Sequence, residues 1–164
     1  GTSRRQRQMC IRDRLNTKLT EKQMKVLIFG LPGSGKTTLA RPFAELIGGV
    51  HINADEIRKT YDDWDFTLEG RIRQAQRMRH LADGVVLAGK IAVADFVCPT
   101  QPARQEFAPD YTIWMDTIQE GRFEDTNAMF ESPDSVDYHV AEWFNDTHAQ
   151  LMPVVQRWME KKNV

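Results

Sequence analysis

Short apolar runs alternate along this chain with segments in which apolar residues recur every three or four positions. The short runs predict buried strands at residues 25–29, 50–53, 91–96, 111–115 and 138–140. Helical spacing predicts helices at residues 38–47, 68–88 and 103–108, a short helix from Asp55, and a last helix capped by Asp146 or Thr147. Strands that alternate with helices in this way predict an α/β fold with a mainly parallel sheet.

Two regions depart from this alternation. Residues 121–135 are polar and weakly periodic, which predicts a mobile loop or a lid, the lid lying near residues 118–137. Pro153 lies inside the last predicted helix and is expected to bend or divide it, because proline removes a backbone donor. Ligands on parallel sheets bind at the carboxyl ends of the strands. The residues that follow each predicted strand are therefore the first candidates for a functional site.

The turn after the first predicted strand contains a glycine-rich motif. Residues 30–37 read Gly-Leu-Pro-Gly-Ser-Gly-Lys-Thr and match the phosphate-binding pattern G-x-x-x-x-G-K-[ST] in full. The glycines let successive backbone N–H groups point at phosphate oxygens, and the start of the next helix adds a favourable dipole. The alternative is a chance match in a glycine-rich turn, against which the flanking strand and helix count.

This motif predicts how ATP and a magnesium ion would be held. Lys36 would reach the β- and γ-phosphates as a catalytic residue, and the Thr37 hydroxyl would ligate Mg²⁺. The other predicted phosphate contacts are Gly30, Gly33, Ser34, Gly35 and Thr38.

Composition restricts the class of protein. The chain has 164 residues, of which 41% are apolar and 27% charged, as in a globular protein with one core. No apolar stretch approaches the roughly 20 residues of a membrane span, so no membrane partner is expected. We predict a single domain at residues 24–164, preceded by a tail at residues 1–23.

The start of the tail differs from the rest of the chain. Residues 1–14 are rich in arginine and glutamine, and residues 8–14 resemble the translated end of a transposon used in sequencing libraries. We interpret residues 1–14 as an adapter artefact and Met24 as a plausible natural start. The alternative is a genuine basic tail that contacts nucleic acid.

Leaving out residues 1–14 changes the charge and the cysteine count. The remaining 17 basic and 22 acidic residues give a net charge of −5, which argues against general attraction to nucleic acid. Cys98 is then the single cysteine, so we expect no internal disulfide and a cytoplasmic location. The four histidines and Cys98 show no metal-ligand spacing, so no zinc site is predicted.

An aspartate follows the second predicted strand, at the same edge of the sheet as the glycine-rich motif. Transfer of a phosphoryl group to a hydroxyl gains from a carboxylate that orients the hydroxyl and takes its proton. Asp55 is the leading candidate for this base. The alternative is an aspartate that caps the helix.

Arginines follow the candidate base at helical spacing. Arg58 lies on the same side of the predicted helix, and Arg71 and Arg77 share one side of the long helix that comes next. Together they could hold an anionic acceptor through forked hydrogen bonds. The alternative is a solvated basic face, which we favour for Arg73, Arg77 and Arg79.

Further candidates lie at strand ends, in loops and in the predicted lid. Asp95 ends a predicted strand and could hold Mg²⁺ through a water molecule, or it could cap the next turn. Phe66 and Phe96 could stack on a base or belong to the core. Arg122 could neutralise the charge that develops on the transferred phosphoryl group.

Several of these motifs resemble those of adenylylsulfate kinases. Residues 30–37 resemble the family's G-L-S-G-S-G-K-S/T, and residues 53–58 resemble its D-G-D-x-x-R. Residues 65–77 resemble its F-S…R-x-x-N-I-R-R, and residues 96–104 resemble its F-I-S-P…R. The resemblance covers about residues 25–120, in the same order and at the same spacing.

The resemblance implies a three-layer α/β/α P-loop fold like that of nucleoside monophosphate kinases. It also implies transfer of the γ-phosphoryl group of ATP to the 3′-hydroxyl of adenylyl sulfate, a small nucleotide acceptor. In such an enzyme Phe66 would stack on the adenine of the acceptor. The predicted acceptor site comprises Asp55, Arg58, Phe66, Arg71, Gln74 and Phe96.

The chain also departs from this family, which keeps other functions open. Asn53 and Ala54 replace an aspartate and a glycine, Gln74 replaces an asparagine, and the family's lysine-rich lid with its D-P-K-G-L-Y element is absent. Residues 52–58 also resemble the I-N-x-D-x-x-R of polynucleotide kinase domains, so a polynucleotide 5′-hydroxyl is the alternative acceptor. The net charge of −5 counts against it.

A third hypothesis is a nucleotide-binding regulatory module that transfers no phosphoryl group. The pairing of Asp55 with Arg58 counts against it, because a pure switch needs no acceptor site. The sequence leaves a homodimer open.

Overall fold

The computed structural model describes residues 24–121, 124–142 and 147–162. Within these ranges the strands are β1 Lys25–Gly30, β2 Val50–Asn53, β3 Ala92–Phe96, β4 Tyr111–Met115 and β5 Tyr138–Val140. The helices are α1 Lys36–Ile47, α2 Ala54–Tyr61, α3 Leu68–Leu87, α4 Gln101–Phe107, α5 Glu124–Met129 and α6 Thr147–Lys162. The predicted strands are confirmed, and so are the predicted helices α1, α2, α3, α4 and α6, within two residues at most ends.

Two details of the helices correct the expectations: a helix lies where a loop was expected, and the last helix is not divided at its proline. The segment predicted as a loop contains the short helix α5, which depends on contacts with distant segments rather than on its own apolar period. Pro153 lies inside α6 without dividing it. Leu151, Val154 and Trp158 on the inner side of α6 are buried. The packing of this side outweighs the backbone hydrogen bond that Pro153 removes.

Strand β1 lies in the centre of a parallel sheet. Over the described residues the strand order is β2-β3-β1-β4-β5, and each neighbouring pair is parallel. The chain leaves β1 towards β2 on one side and later crosses from β3 to β4 on the other side. The connections therefore diverge at the carboxyl end of β1. Ligands of parallel sheets bind in the crevice that such a divergence opens.

Alternate residues of β1 face two different hydrophobic cores. Ile28 belongs to a buried cluster with Phe43 of α1 and Trp158 of α6. Leu27 belongs to a second cluster, on the opposite face of the sheet, with Met78 of α3. Helices thus cover both faces of the sheet, which confirms the predicted three-layer α/β/α fold. Across the described ranges, no helix has both the length and the apolar character that crossing a membrane requires.

Candidate active site

The glycine-rich phosphate loop connects β1 to α1. Gly35 precedes α1 with a φ of 93°, in the left-handed region that favours glycine. No side chain caps this helix, so no capping side chain accepts a hydrogen bond from the backbone N–H groups of its first turn. Ser34 N donates to Leu31 O at 3.1 Å and closes the turn. This arrangement of backbone donors suits a bound phosphate.

Gly30 and Lys36 lie at the two ends of the phosphate loop. A Cβ on Gly30 would come within 2.5 Å of the Met115 carbonyl oxygen, so a side chain has no room where β1 passes β4. Lys36 Nζ donates to the carbonyl oxygen of Leu31 at 3.0 Å. The ammonium group is thereby held beside the backbone of the loop, where the β- and γ-phosphates of a nucleotide would lie.

Asp95 is the centre of a polar cluster at the carboxyl ends of β2 and β3. Thr37 Oγ1 donates to Asp95 Oδ1 at 3.0 Å, and Asn53 Nδ2 donates to Thr37 Oγ1 at 3.1 Å. His51 Nε2 contacts the other carboxylate oxygen, Asp95 Oδ2. Only 3% of Asp95 is exposed, so these groups take the place of water around the carboxylate. The cluster joins β3 to the phosphate loop.

Thr37 and Asp95 have the ligand chemistry of a magnesium site. Both offer oxygen atoms, and Mg²⁺ is commonly held by one or two such protein groups together with water and phosphate oxygens. No cluster of three or more His, Cys, Asp or Glu side chains suited to a metal occurs in the described ranges. Thr100 caps α4 through a hydrogen bond from Ala103 N. Asp95 therefore does not cap the helix that follows its strand.

A cavity of about 1150 Å³ connects the phosphate loop with α2 and α3. Asp95 and all six predicted acceptor residues line it. Of the predicted phosphate contacts, those that line it are Gly33, Gly35, Lys36, Thr37 and Thr38. Gly30 and Ser34 belong to the loop but not to the cavity wall. Arg122 lies outside the described residues.

Arg58 lies in the cavity wall with only 5% of its surface exposed. Its NH1 donates to the backbone carbonyl oxygens of Asp63 and Asp65 at 3.0 and 3.2 Å. The guanidinium group lies 4.5 Å from the centre of the Phe66 ring. Burial lowers the pKa of Arg58, and the nearby Asp63 partly opposes this effect. Among the described residues Arg58 has no carboxylate within ion-pair distance.

Arg71 is the second buried arginine of the cavity, with 7% of its surface exposed. Its Nε donates to Phe66 O at 3.0 Å, and its NH2 donates to Thr126 Oγ1 at 2.8 Å. Burial lowers the pKa of Arg71, and the charge of Arg58 lowers it further. Arg71 also lacks a carboxylate partner within the described ranges. Two buried guanidinium groups thus line one cavity, and neither forms an ion pair with another described residue.

The neighbouring arginines of α3 do have carboxylate partners. Arg73 Nε donates to Asp63 at 2.8 Å, and its NH2 donates to Asp65 at 3.0 Å. Arg77 forms an ion pair with the same Asp63 carboxylate. Neither arginine lines the cavity. Arg73 is exposed, as a solvated basic face requires, whereas Arg77 is half-buried; their ion pairs outside the cavity distinguish both from Arg58 and Arg71.

Asp55 lies in the first turn of α2 and lines the cavity. The residue that caps α2 is Asn53, whose side chain accepts a hydrogen bond from Glu56 N at 3.0 Å. The capping role considered for Asp55 is therefore wrong. Its carboxylate is exposed and forms no hydrogen bond with other described residues. Asp55 is thus available to a molecule in the cavity.

The remaining predicted acceptor residues differ in burial. Gln74 is 2% exposed and donates from Nε2 to Ala54 O at 3.0 Å, which joins α3 to α2. Phe66 is 50% exposed. Phe96 is buried and packs edge-on against Phe107, with ring centres 5.6 Å apart. Phe66 therefore offers an open ring to the cavity, whereas Phe96 belongs mainly to the core.

Sequence reasoning missed some residues of this site. Thr126 and Met129 of α5 line the cavity, but a helix of six residues is too short to show a period. The contact between His51 and Asp95 could have been anticipated. Alternate residues of a strand share a face, so His51 lies on the same side of β2 as Asn53.

Solved structures with this fold include P-loop kinases. The chain superposes on the APS kinase of Mycobacterium tuberculosis in complex with AMPPNP and APS, with a TM-score of 0.73 and 16% identity, over 84% of this chain and 98% of that one. It superposes on the shikimate kinase of Acinetobacter baumannii in complex with shikimate, with a TM-score of 0.59 and 17% identity, over 87% and 96% of the two chains. At these identities the likeness confirms the predicted P-loop kinase fold.

A curated relative and a family model extend this comparison to the sequence. The probable adenylyl-sulfate kinase of Aeropyrum pernix is 37% identical over 93 residues, which are 53% of this chain and 51% of the relative. The match therefore spans about half the length of that relative. The resemblance to adenylylsulfate kinases drawn from the sequence is confirmed. The AAA domain model matches residues 26–109, which are 84 of the 164 residues, and the chain therefore belongs to the AAA domain family.

Proposed function

We propose that this protein is an ATP-dependent kinase that transfers a phosphoryl group to a hydroxyl of a small anionic acceptor. The leading acceptor is the 3′-hydroxyl of adenylyl sulfate. The observation that carries the proposal is that Arg58 and Arg71, both buried and without carboxylate partners in the described ranges, line the same cavity as the phosphate loop. The names of the relatives, which are kinases, agree with this chemistry.

The two arginines favour an acceptor that carries negative charge. Burying a guanidinium group is costly unless an opposite charge or several hydrogen bonds compensate it. A sulfate or phosphate group would supply that charge and could accept forked hydrogen bonds from both side chains. The half-exposed Phe66 ring lies beside them and offers a surface for a planar base. Adenylyl sulfate combines an anionic group with such a base.

In the proposed reaction the acceptor hydroxyl oxygen forms a bond to the γ-phosphorus of ATP. The bond from that phosphorus to the β,γ-bridging oxygen breaks, and ADP leaves with the electron pair. Asp55 orients the hydroxyl and takes its proton. Lys36 and the backbone N–H groups of the phosphate loop stabilise the charge on the phosphate oxygens. The exposed Asp55 carboxylate has no competing hydrogen bond among the described residues, which supports this role.

A magnesium ion would be held by Thr37 directly and by Asp95 through water. When bound, such an ion neutralises charge on the β- and γ-phosphates. The hydrogen bond between these two side chains keeps both oxygen atoms that would hold the ion beside the phosphate loop. Arg122 remains our candidate for the charge that develops on the transferred group.

The test is a transfer assay with purified protein, Mg²⁺ and ATP labelled at the γ-phosphate. The acceptors are adenylyl sulfate, 5′-hydroxyl oligonucleotides and no acceptor, and the labelled products are separated and counted. Lys36→Ala is the control, because removal of the ammonium group should abolish transfer by every route while the far-ultraviolet circular dichroism spectrum stays unchanged.

Each result of this assay points to one function. Labelled product from adenylyl sulfate alone supports the proposed acceptor. Labelled oligonucleotide would replace it with a polynucleotide 5′-hydroxyl. ATP consumption or binding without a labelled acceptor would contradict the kinase proposal and favour a regulatory module.

A further inference from the structure

Helix α5 connects the phosphate-loop side of the cavity with the acceptor side. Thr126 and Met129 of this helix line the cavity, and Thr126 is only 4% exposed. The sequence predicts a loop or lid here but assigns no role to the side chains of α5. Helix α5 thus lies between the two halves of one site, where its polar side chains can contact residues of either half.

The two cavity arginines are held in different ways. Arg58 is bound by carbonyl oxygens of the loop that follows its own helix, at Asp63 and Asp65. Arg71 is bound at Nε by the nearby Phe66 carbonyl, but its NH2 donates to the hydroxyl of Thr126, 55 residues further along the chain. The orientation of the Arg71 guanidinium group thus depends on α5, whereas that of Arg58 does not.

The position of α5 is in turn fixed at the phosphate loop. Asn127 forms a pair of hydrogen bonds with the backbone of Gly121: Gly121 N donates to Oδ1 at 2.7 Å, and Nδ2 donates to Gly121 O at 3.1 Å. Gly121 packs on the phosphate loop, since a Cβ on it would lie 3.2 Å from Pro32 Cδ. This pair of bonds braces the start of α5 against the loop that would hold ATP.

The other end of α5 is fixed at the far wall of the cavity. Glu131 N donates to Pro99 O at 2.7 Å, and Arg104 NH2 donates to Glu131 O at 2.6 Å. Pro99 itself lines the cavity. Because both ends of α5 are held, the Thr126 hydroxyl has a defined position. A hydroxyl oxygen held in one place can orient the guanidinium group that donates a hydrogen bond to it.

We propose that Thr126 is a positioning residue for the acceptor, acting through Arg71. Its hydroxyl accepts one N–H of the guanidinium group, and the Phe66 carbonyl accepts a second. The NH1 group, which has no hydrogen bond among the described residues, is left to bind the anionic group of the acceptor. The inference rests on the proposed function, because it deepens the description of the same acceptor site.

This role predicts a specific kinetic pattern. Without the Thr126 hydroxyl, Arg71 would keep its charge but lose one of the two hydrogen bonds that fix the orientation of its guanidinium group. The acceptor would therefore bind less tightly. Binding of ATP, which depends on the phosphate loop, would be unaffected. A merely structural role would instead lower the fraction of active protein, and this would reduce kcat without changing the Michaelis constant of the acceptor.

The test compares Thr126→Val, which keeps the shape of the side chain but removes the hydroxyl, with Thr126→Ser, which keeps the hydroxyl. For Thr126→Val we expect the KM for adenylyl sulfate to rise about 10-fold with an unchanged KM for ATP. Thr126→Ser should stay close to the unchanged protein. In an Arg71→Ala background, Thr126→Val should add no further effect, since both residues then act through one missing contact.

The outcomes separate this inference from the proposed function. If the unchanged protein phosphorylates adenylyl sulfate and Thr126→Val raises its KM no more than Thr126→Ser does, the positioning role is overturned and the function stands. Additive effects of Thr126→Val and Arg71→Ala would also overturn it. If the unchanged protein neither binds nor phosphorylates adenylyl sulfate, the acceptor assignment fails first and the inference fails with it.

Discussion

The hydroxyl of Thr37 donates a 3.0 Å hydrogen bond to the carboxylate of Asp95, 58 residues later in the chain. Thr37 lies in the first turn of α1 and Asp95 in the buried strand β3. The bond therefore fastens the phosphate loop to the strand beside it. Since Asn53 donates to both side chains, the two oxygens stay close together before any ligand arrives.

Replacement of Asp95 by asparagine tests whether this pair supports a magnesium ion. We expect Asp95→Asn to raise the Mg²⁺ concentration needed for half-maximal phosphoryl transfer, because a neutral amide is a poorer partner for magnesium-bound water. The measurement is a magnesium titration of the transfer rate. Asp116→Asn is the matched control, since Asp116 follows β4 and pairs with His139 instead. An equal shift in both variants would remove Asp95 from the metal site.

Asp55→Asn separates proton removal from nucleotide binding. The amide keeps the size of the side chain but cannot take a proton, so we expect phosphoryl transfer to fall by roughly 100-fold or more. Binding of a non-hydrolysable ATP analogue, measured by titration calorimetry, should be unchanged. A variant that transfers phosphate at the normal rate would show that Asp55 is not the base.

Arg71→Ala and Arg73→Ala form a matched pair on neighbouring positions of α3. Arg71 faces the cavity without a carboxylate partner among the described residues, whereas Arg73 pairs with Asp63 and Asp65 outside it. Arg71→Ala should raise the KM for the acceptor by roughly 10- to 100-fold. Arg73→Ala should change it much less. If Arg71→Ala weakens ATP binding as much as acceptor binding, Arg71 does not belong to the acceptor site.

Phe43→Ala tests the core that supports the phosphate loop. Phe43 is fully buried in α1, with its ring 6.2 Å from that of Trp158. Its loss should lower the free energy of unfolding by ~3–5 kcal/mol, because it removes buried surface and leaves a cavity. Leu87→Ala is the control: Leu87 is 89% exposed, and its loss should cost at most ~0.5 kcal/mol. Urea unfolding followed by circular dichroism measures both, and similar midpoints would contradict the packing described.

The stability of the loop between α2 and α3 should depend on pH, because the charge of the Asp63 carboxylate contributes to it. Hydrogen bonds from Arg73 and Arg77 hold the pKa of the Asp63 carboxyl well below its usual range. A carboxyl whose pKa is lowered by folding stabilises the folded state above its unfolded pKa of about 3.9, and this contribution is lost as the pH falls. We expect Trp64, one residue further on, to report a loosened loop by fluorescence only well below pH 4, because the Asp63 carboxylate of the folded protein stays ionised until the pH falls through its lowered pKa. Asp63→Asn should remove this transition, and an unchanged transition in that variant would assign it to another group.

The parts of this molecule that could be predicted from sequence are those that depend on neighbouring residues. Threonine is a preferred cap residue, and Thr67 directly before α3 takes this role: its hydroxyl accepts a hydrogen bond from Gly70 N three residues later. The phosphate loop could be predicted for the same reason, because its glycines determine the conformation of the backbone at their own positions. Thr126 could not be anticipated, because its contact with Arg71 joins segments 55 residues apart.

Competition between neighbouring residues explains why the capping alternative for Asp55 is wrong. Asparagine and aspartate are both strong helix caps, and the sequence places Asn53 two positions before Asp55. The position at which β2 ends determines which of the two residues caps the helix, because the backbone of Asn53 is still extended, with φ −97° and ψ 127°. An extended residue immediately before the first turn is the one that can cap it, which leaves Asp55 inside the helix.

The attachment of Arg58 to backbone carbonyls of the α2–α3 loop has a consequence for how such a protein can diversify. The proposed nucleotide half of the cavity is built by β1 and α1, and most of the proposed acceptor half by α2, α3 and the loop between them. Insertions or deletions in the loop between α2 and α3 would change the carbonyl oxygens that hold the Arg58 guanidinium group, and so the proposed acceptor half, without disturbing the phosphate loop. The architecture therefore allows acceptor preference to change while the source of the phosphoryl group stays the same.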